Sequence, residues 1–429
     1  MKATDINRRD FLTSVALGST AAAWSGRSPQ AAGAPPPGPR TIAVGPQPGP
    51  EEFIRIDRLS ERVALAYWPG IDRRCNLTVI QSQKGLVIID TEASPRVMAP
   101  IKAKIEQTFH RSDWVYVINT HAHDNHCGGN SLFKQAVIVG HNNLPEDMQW
   151  LIRRQTEPDW RRQSIDQITS ILRGLQAALP RYAANPEYTK LIRSDLLFYG
   201  LHVQDLREGY EVVEPSLMFA DRHTLDLGDL TLELTFYGRG HSKSDILIYI
   251  PQERLLVSGA IAYQHAQLPE IGEESQLEDV YRFITVLDRL LADNVKTDRV
   301  IPAHSVPLTR AALPPIRDYY RRMLTEVRAA RARGLTLEET MKQLTIRAKF
   351  PAFRDPAPGQ WGYGGQERNI KNLWRILSEG RPWTGERPLA AGCDRSHERI
   401  DLPDGAIPRT DGAKTLGHNE PQHNHHQGL

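Results

Sequence analysis

Cysteine is almost missing from this 429-residue chain: Cys75, Cys127 and Cys393 are the three present, too few for a disulfide framework. Also missing is any apolar run of the roughly 18 to 20 residues that a membrane-spanning helix requires, so a soluble mature protein is expected. Neither sign of charge is in excess. The formal net charge is +2, and no Lys/Arg stripe with interleaved aromatics stands out, which argues against a nucleic-acid partner. With 40% hydrophobic and 24% charged residues, the chain has the composition of a globular protein and the length for one large domain or two small ones.

What the chain does have is histidine in one place. His121-Ala122-His123-Asp124-Asn125-His126 packs three imidazoles into a single turn. The apolar run Trp114 to Asn119 before it reads as a buried strand, and Cys127-Gly128-Gly129-Asn130 after it lets the backbone turn sharply. Imidazole nitrogen is a common zinc ligand, and a loop at a sheet edge can aim several at one point. Two more histidines occupy loops at strand ends, His241 in Gly238-Arg239-Gly240-His241-Ser242 and His304 in Ile301-Pro302-Ala303-His304-Ser305. His141 and His265 read as structural and rim residues, although His265 could reach a metal. Cys127, beside His126, reads as a small buried residue, with a metal or redox role as the alternative.

Along the chain, strands are expected at 62–68, 76–81, 85–90, 114–119 and 136–140, with a helix at 95–109. Residues 143–206 show helical spacing alone and read as an insertion. Strands return at 217–219, 224–227, 230–237, 246–250, 255–258 and 299–302, with helices over 276–293, 308–333, 337–344 and 366–379. This alternation is an α/β arrangement.

At the N-terminus, Asn7-Arg8-Arg9-Asp10-Phe11-Leu12, an apolar stretch to Trp24 and the small residues Ala31-Ala32-Gly33-Ala34 resemble a twin-arginine export signal. That resemblance implies passage through the twin-arginine machinery to the periplasm. The expected organisation is a signal over 1–33, a proline-rich linker over 34–50, one main domain over 51–380 and a polar tail over 381–429. The tail ends in a histidine-rich tract, for which disorder is the plainer reading and metal gathering the alternative.

From residue 53 to 379 the ordered motifs Ile88-Ile89-Asp90-Thr91, NTHAHDNHCGGN, GRGHSKSD, YIPQERLLVSGA and VIPAHS together resemble the metallo-β-lactamase superfamily. The resemblance implies a four-layer αββα sandwich carrying a helical insertion, with a site at the rim between two sheets. It implies that His121, His123 and His241 hold a metal, that His126 and His304 belong to a neighbouring second metal position, and that Asp90 braces the metal loop.

Two departures change the expectation. Asn125 stands where the family has a second-site aspartate, and Ala260 where it has a bridging aspartate. Two dications about 3.5 Å apart repel by about 19 kcal/mol at an effective dielectric near 20, ligands ignored. Without the carboxylates that normally offset this, one firmly held Zn2+ is expected, with the second position weak or empty unless Asp124 or Asp245 swings in. Zinc on three neutral imidazoles still brings a water's pKa to about 7. His126 and His304 then suit proton transfer, Asn125 suits positioning of the water, and Asp124 joins them as a catalytic candidate. The expected function is an exported zinc-dependent hydrolase of a lactam, lactone, ester or thioester in a small-molecule substrate. The alternative is a non-catalytic ligand- or metal-binding protein of the same fold. An alkyl-sulfate hydrolase fits less well, because that pattern has glutamate where this chain has His241.

Overall fold

Two mixed sheets, packed face to face, carry the chain's buried apolar strands to one rim. The computed structural model describes residues 49–71, 75–262, 268–272, 275–292, 296–345, 349–350, 353 and 365–379. The expected export signal, most of the expected linker, His265, Cys393 and the histidine-rich tail lie outside the described residues.

The first sheet follows chain order: β1 (Arg55–Arg58), β2 (Val63–Tyr67), β3 (Leu77–Gln81), β4 (Leu86–Ile89), β5 (Trp114–Ile118), β6 (Val137–His141) and β7 (Leu217–Phe219). Its first four strands form an antiparallel meander and the rest run parallel. The second sheet holds β8 (Arg222–Asp226), β9 (Thr231–Phe236), β10 (Ile246–Ile250), β11 (Leu255–Gly259), β12 (Arg299–Pro302) and β13 (Leu308–Thr309) as neighbours in that order. Only β11 and β12 pair in parallel there.

Side-chain alternation explains the layers. Val63, Leu65 and Tyr67 of β2 point to the core between the sheets, where they meet Ile246, Ile248, Val257 and Ile301. Ala64 and Ala66 point the other way, to a core shared with the helix Pro95–Phe109 and the insertion helices Pro158–Ala178 and Pro186–Glu208. Leu247, Leu256 and Val300 point out of the second sheet towards the helices Leu277–Leu290, Leu313–Ala332 and Gly365–Glu379. Both sheets are therefore covered on both faces, which is why their central strands read as unbroken apolar runs. The result is the expected αββα sandwich.

Two local expectations differ. Residues 308–333 do not form one helix: Leu308 pairs with Val300 in an antiparallel ladder, and the helix starts at Leu313, with proline in its first turn where a missing N–H costs nothing. Strand β1 was not expected, because its Arg-Ile-Asp-Arg sequence carries the charges that suit a sheet edge.

Candidate metal centre

β4 and β5 are parallel neighbours, and both end at the same rim. Asp90 follows β4 with φ at +68°, a left-handed conformation that aspartate tolerates better than most residues. Its carboxylate is the hub of the site. Oδ1 accepts the Thr120 N–H at 2.8 Å, and Oδ2 accepts the Thr120 hydroxyl and His126 Nδ1, each also at 2.8 Å.

These contacts fix the tautomers. The Thr120 hydroxyl spends its one proton on Asp90, so towards His121 Nδ1, 2.9 Å away, it can only accept. His121 Nδ1 therefore carries the proton and Nε2 the lone pair. By the same logic His126 donates from Nδ1, the tautomer that leaves Nε2 to face Asn125. A carboxylate behind an imidazole is the usual outer support of a metal-ligating histidine.

His121, His123 and His241 converge. Nε2 of His121 and Nε2 of His241 each lie 3.1 Å from Nδ1 of His123, and the three form a group able to hold a metal ion. A tetrahedral ion with Zn–N of about 2.05 Å spaces its ligand nitrogens by about 3.3 Å. Burial, and then the surrounding imidazoles, push His121 well below its ordinary pKa, so its lone pair is free for a metal at neutral pH. The donor set fits zinc.

His126 and His304 stand beside this group, with the His121 and His126 rings 4.1 Å apart by centroid. Between them lies the Asn125 amide. Its Nδ2 is 3.0 Å from Nε2 of His126 and 3.2 Å from Nε2 of His304. An amide nitrogen has two protons, and it stands between the two ring nitrogens, which are themselves 3.3 Å apart. The position in which the family places a carboxylate thus holds an amide nitrogen between the two imidazoles. Ala260 is buried against Ala303, and these two form a small apolar cluster.

The remaining carboxylates are engaged in the loops. Asp124 is buried, with Oδ1 accepting the Asn125 N–H at 2.8 Å and Oδ2 3.0 Å from Arg154 Nη1. Of the catalytic candidates, Asp124 is thus the one whose oxygens are held by a backbone amide and a guanidinium. Asp245 has not swung in either. Its Oδ2 accepts the N–H groups of Ser242 at 2.7 Å and Gly240 at 3.1 Å, which shapes the loop that carries His241. Asp147, at the start of the insertion, holds the far side of the same loop through the Lys243 N–H and the Ser244 hydroxyl.

Burial pushes the Asp245 carboxyl up to about 7. In the folded chain it keeps its proton from about pH 4 to 7, while the unfolded chain has lost it, so this group makes the protein less stable as pH rises through that window. The full shift corresponds to about 4 kcal/mol at most. Urea unfolding of metal-stripped wild type and Asp245→Asn at pH 5 and pH 8 checks this. The variant is expected to gain relative to wild type at pH 8. An equal difference at both pH values contradicts the assignment.

Glycine serves the His121–His126 turn by allowing close approach. A Cβ on Gly128 would lie 2.2 Å from the Ala93 carbonyl oxygen, and one on Gly129 would lie 2.2 Å from that of Thr91. Neither glycine has positive φ, so the sharp turn read from the sequence is in fact tight packing. Behind it, Asn119 and Asn130 exchange side-chain hydrogen bonds, and the Asn119 side chain and the Thr91 backbone N–H both donate to the His126 carbonyl. Asn76 fixes the His304 loop by donating to the carbonyls of Pro302 and Ser305. Cys75 and Cys127 are likewise bound into these loops. Burial pushes the Cys127 thiol well up, and its Sγ donates to the His121 carbonyl; Cys75 Sγ donates to that of Asn125. His141 is stacked on Phe236, with its Nε2 2.7 Å from the Ala220 carbonyl oxygen.

Sequence reasoning missed Asn76, Asn119, Asn130, Asp147 and Arg154. Arg154 alone left a signal: it lies on the buried face of the amphipathic helix Gln149–Thr156, where an arginine needs a partner.

These features are those of a metallo-hydrolase-type fold with a histidine metal cluster at its rim. The chain belongs to the metallo-beta-lactamase superfamily, whose family profile matches residues 70–304. It is similar to the metallo-beta-lactamase type 2 of Bacillus cereus, 21% identical over 257 residues that make up 58% of this chain and 76% of the relative. The metallo-beta-lactamase type 2 of Bacillus sp. (strain 170) matches with the same identity and coverage. Among solved structures, the stereoselective inverting sec-alkylsulfatase Pisa1 from Pseudomonas sp. superposes with a TM-score of 0.50 at 16% identity, over 77% of this chain and 52% of that one. A double mutant of the sec-alkyl sulfatase PisA1 gives a TM-score of 0.51 at 16% identity, over 78% and 53%. The chain spans about half the length of these sulfatase structures, and the likeness is one of fold alone.

Proposed function

We propose that this chain is an exported, zinc-dependent hydrolase of a lactam, lactone, ester or thioester bond that works with one firmly held ion. The observation that carries the reading is the pairing of a complete three-imidazole cluster, His121, His123 and His241, with a second position capped by the Asn125 amide. Zinc held by three neutral imidazoles acidifies a water and polarises a carbonyl.

The chain's own residues supply the rest. Asp90 and Thr120 hold His121 with Nε2 facing the cluster, and Asp90 holds His126 with its bare Nε2 facing Asn125. His126 is fully buried, while His241, Asn125 and His304 are partly exposed, so substrate enters from their side. With the Asn125 amide turned away from their Nε2 atoms, His304 and His126 are the proton-transfer groups, and the released Asn125 N–H groups orient a polar atom of the substrate. Asp124 holds the turn rather than taking a proton. The Arg8-Arg9 motif supports export to the periplasm by the twin-arginine machinery.

A panel of lactams, lactones, esters and thioesters, run on zinc-loaded protein with and without chelator, tests the reading. Turnover that chelation abolishes and added zinc restores is expected. Zinc-loaded protein that turns over none of the panel yet binds one of its members tightly would instead establish the non-catalytic binding protein, the reading favoured by the absence of both second-site carboxylates.

A further inference from the structure

The helix Gln149–Thr156 belongs to the insertion, yet it touches the metal turn at two points. Trp150 Nε1 donates to the Ala122 carbonyl at 3.2 Å, and Arg154 Nη1 lies 3.0 Å from Asp124 Oδ2. Residues four apart share one face of a helix, so a single face of this helix grips the turn between His121 and His123 and again just after His123. The Arg154 guanidinium lies 5.2 Å from the centroid of the Trp150 ring. Its Nη2 donates to Nε2 of His202, 3.1 Å away on the long insertion helix Pro186–Glu208. Arginine can only donate, so His202 accepts through a bare Nε2. Arg154, Asp124 and His202 are all buried.

We infer that Arg154 is a positioning residue of the metal centre: by clamping Asp124 against His202 it fixes the turn that presents His123, Asn125 and His126. This rests on the metal-centre reading above. A buried ion pair adds little net stability over an apolar pair of the same shape. What this one supplies is direction. Asp124 Oδ1 takes the Asn125 N–H at 2.8 Å, so a shift of Asp124 moves the residue whose amide caps His126 and His304. Two insertion helices are thereby joined to the metal loop by one side chain, which makes the insertion a brace for the site as well as part of its rim.

The test uses the full chain and three readouts: zinc affinity by chelator competition, the visible spectrum of the cobalt-substituted protein, and the melting temperature of the metal-free protein. Arg154→Met is expected to weaken zinc binding about ten- to a hundredfold, the usual cost of losing an outer support of a metal site, and to change the cobalt spectrum. Arg154→Lys keeps the charge but not the fork, and is expected to fall between. Adding Asp124→Asn to Arg154→Met is expected to cost little more than the worse single change, since both act through one contact. Should Arg154→Met not fold, the Arg154→Lys comparison carries the test. A purely structural Arg154 would lower the metal-free melting temperature and leave zinc affinity and cobalt spectrum at wild-type values, and that result overturns the inference. A wild type that takes up neither zinc nor cobalt overturns the metal-centre reading, and this inference with it.

Discussion

Replacing Asn125 with aspartate, together with Ala260→Asp, is expected to raise the zinc retained after dialysis from one ion per chain to two. The argument is electrostatic. The Asn125 amide nitrogen, with its two protons, stands 3.0 Å from Nε2 of His126 and 3.2 Å from Nε2 of His304, between the nitrogens that a second ion would need. Aspartate removes those protons and adds a negative charge. A carboxylate oxygen about 2.1 Å from a dication attracts it by about 16 kcal/mol in the gross Coulomb terms that put the ion–ion repulsion at about 19 kcal/mol. One carboxylate offsets most of the repulsion, and a second at position 260 exceeds it. Position 260 carries a risk, since Ala260 is buried against Ala303; the single Asn125→Asp change is therefore measured alongside. Metal analysis after dialysis reads the outcome directly. A double variant that still retains one ion would show that capping by Asn125 is not what closes the second position.

Replacing His123 with alanine is expected to remove zinc altogether and, with it, hydrolysis. His123 is the middle of the cluster, with Nδ1 3.1 Å from the facing nitrogen of both His121 and His241. Its loss leaves those two imidazoles without a third ligand between them. Metal-supplied charge stabilisation is worth several kcal/mol, and each 1.36 kcal/mol is tenfold in rate, so a fall of about a thousandfold or more is expected. The readouts are metal content and turnover compared with chelated wild type. His123→Ala protein that keeps stoichiometric zinc would remove this residue from the ligand set.

The five histidines were legible because they cluster just beyond strand ends, His121, His123, His241 and His304 in loops and His126 in the short helical turn Asp124–Cys127, and a strand's end is a local feature of sequence. The αββα layering was legible for a related reason: strands such as Leu86–Ile89 are apolar throughout because both faces are covered. The Asn125 substitution was equally visible, but its consequence was not. That the amide stands between imidazoles 178 residues apart in the chain, at positions 126 and 304, follows only once the two sheets are packed. Asp124 shows the same limit. The sequence shows a carboxylate inside a histidine turn but not that Arg154, 30 residues on, holds it. Helix starts failed in the same way at Leu308, where pairing with β12 overrides the helical spacing of the residues that follow.

Metal stoichiometry of the wild-type chain tests the central claim most directly. The protein is loaded with excess zinc, dialysed against metal-free buffer and analysed for zinc per chain. One ion per chain, released on adding a strong chelator, is the result expected of three converging imidazoles beside a position capped by Asn125. Two retained ions, or none, would contradict it.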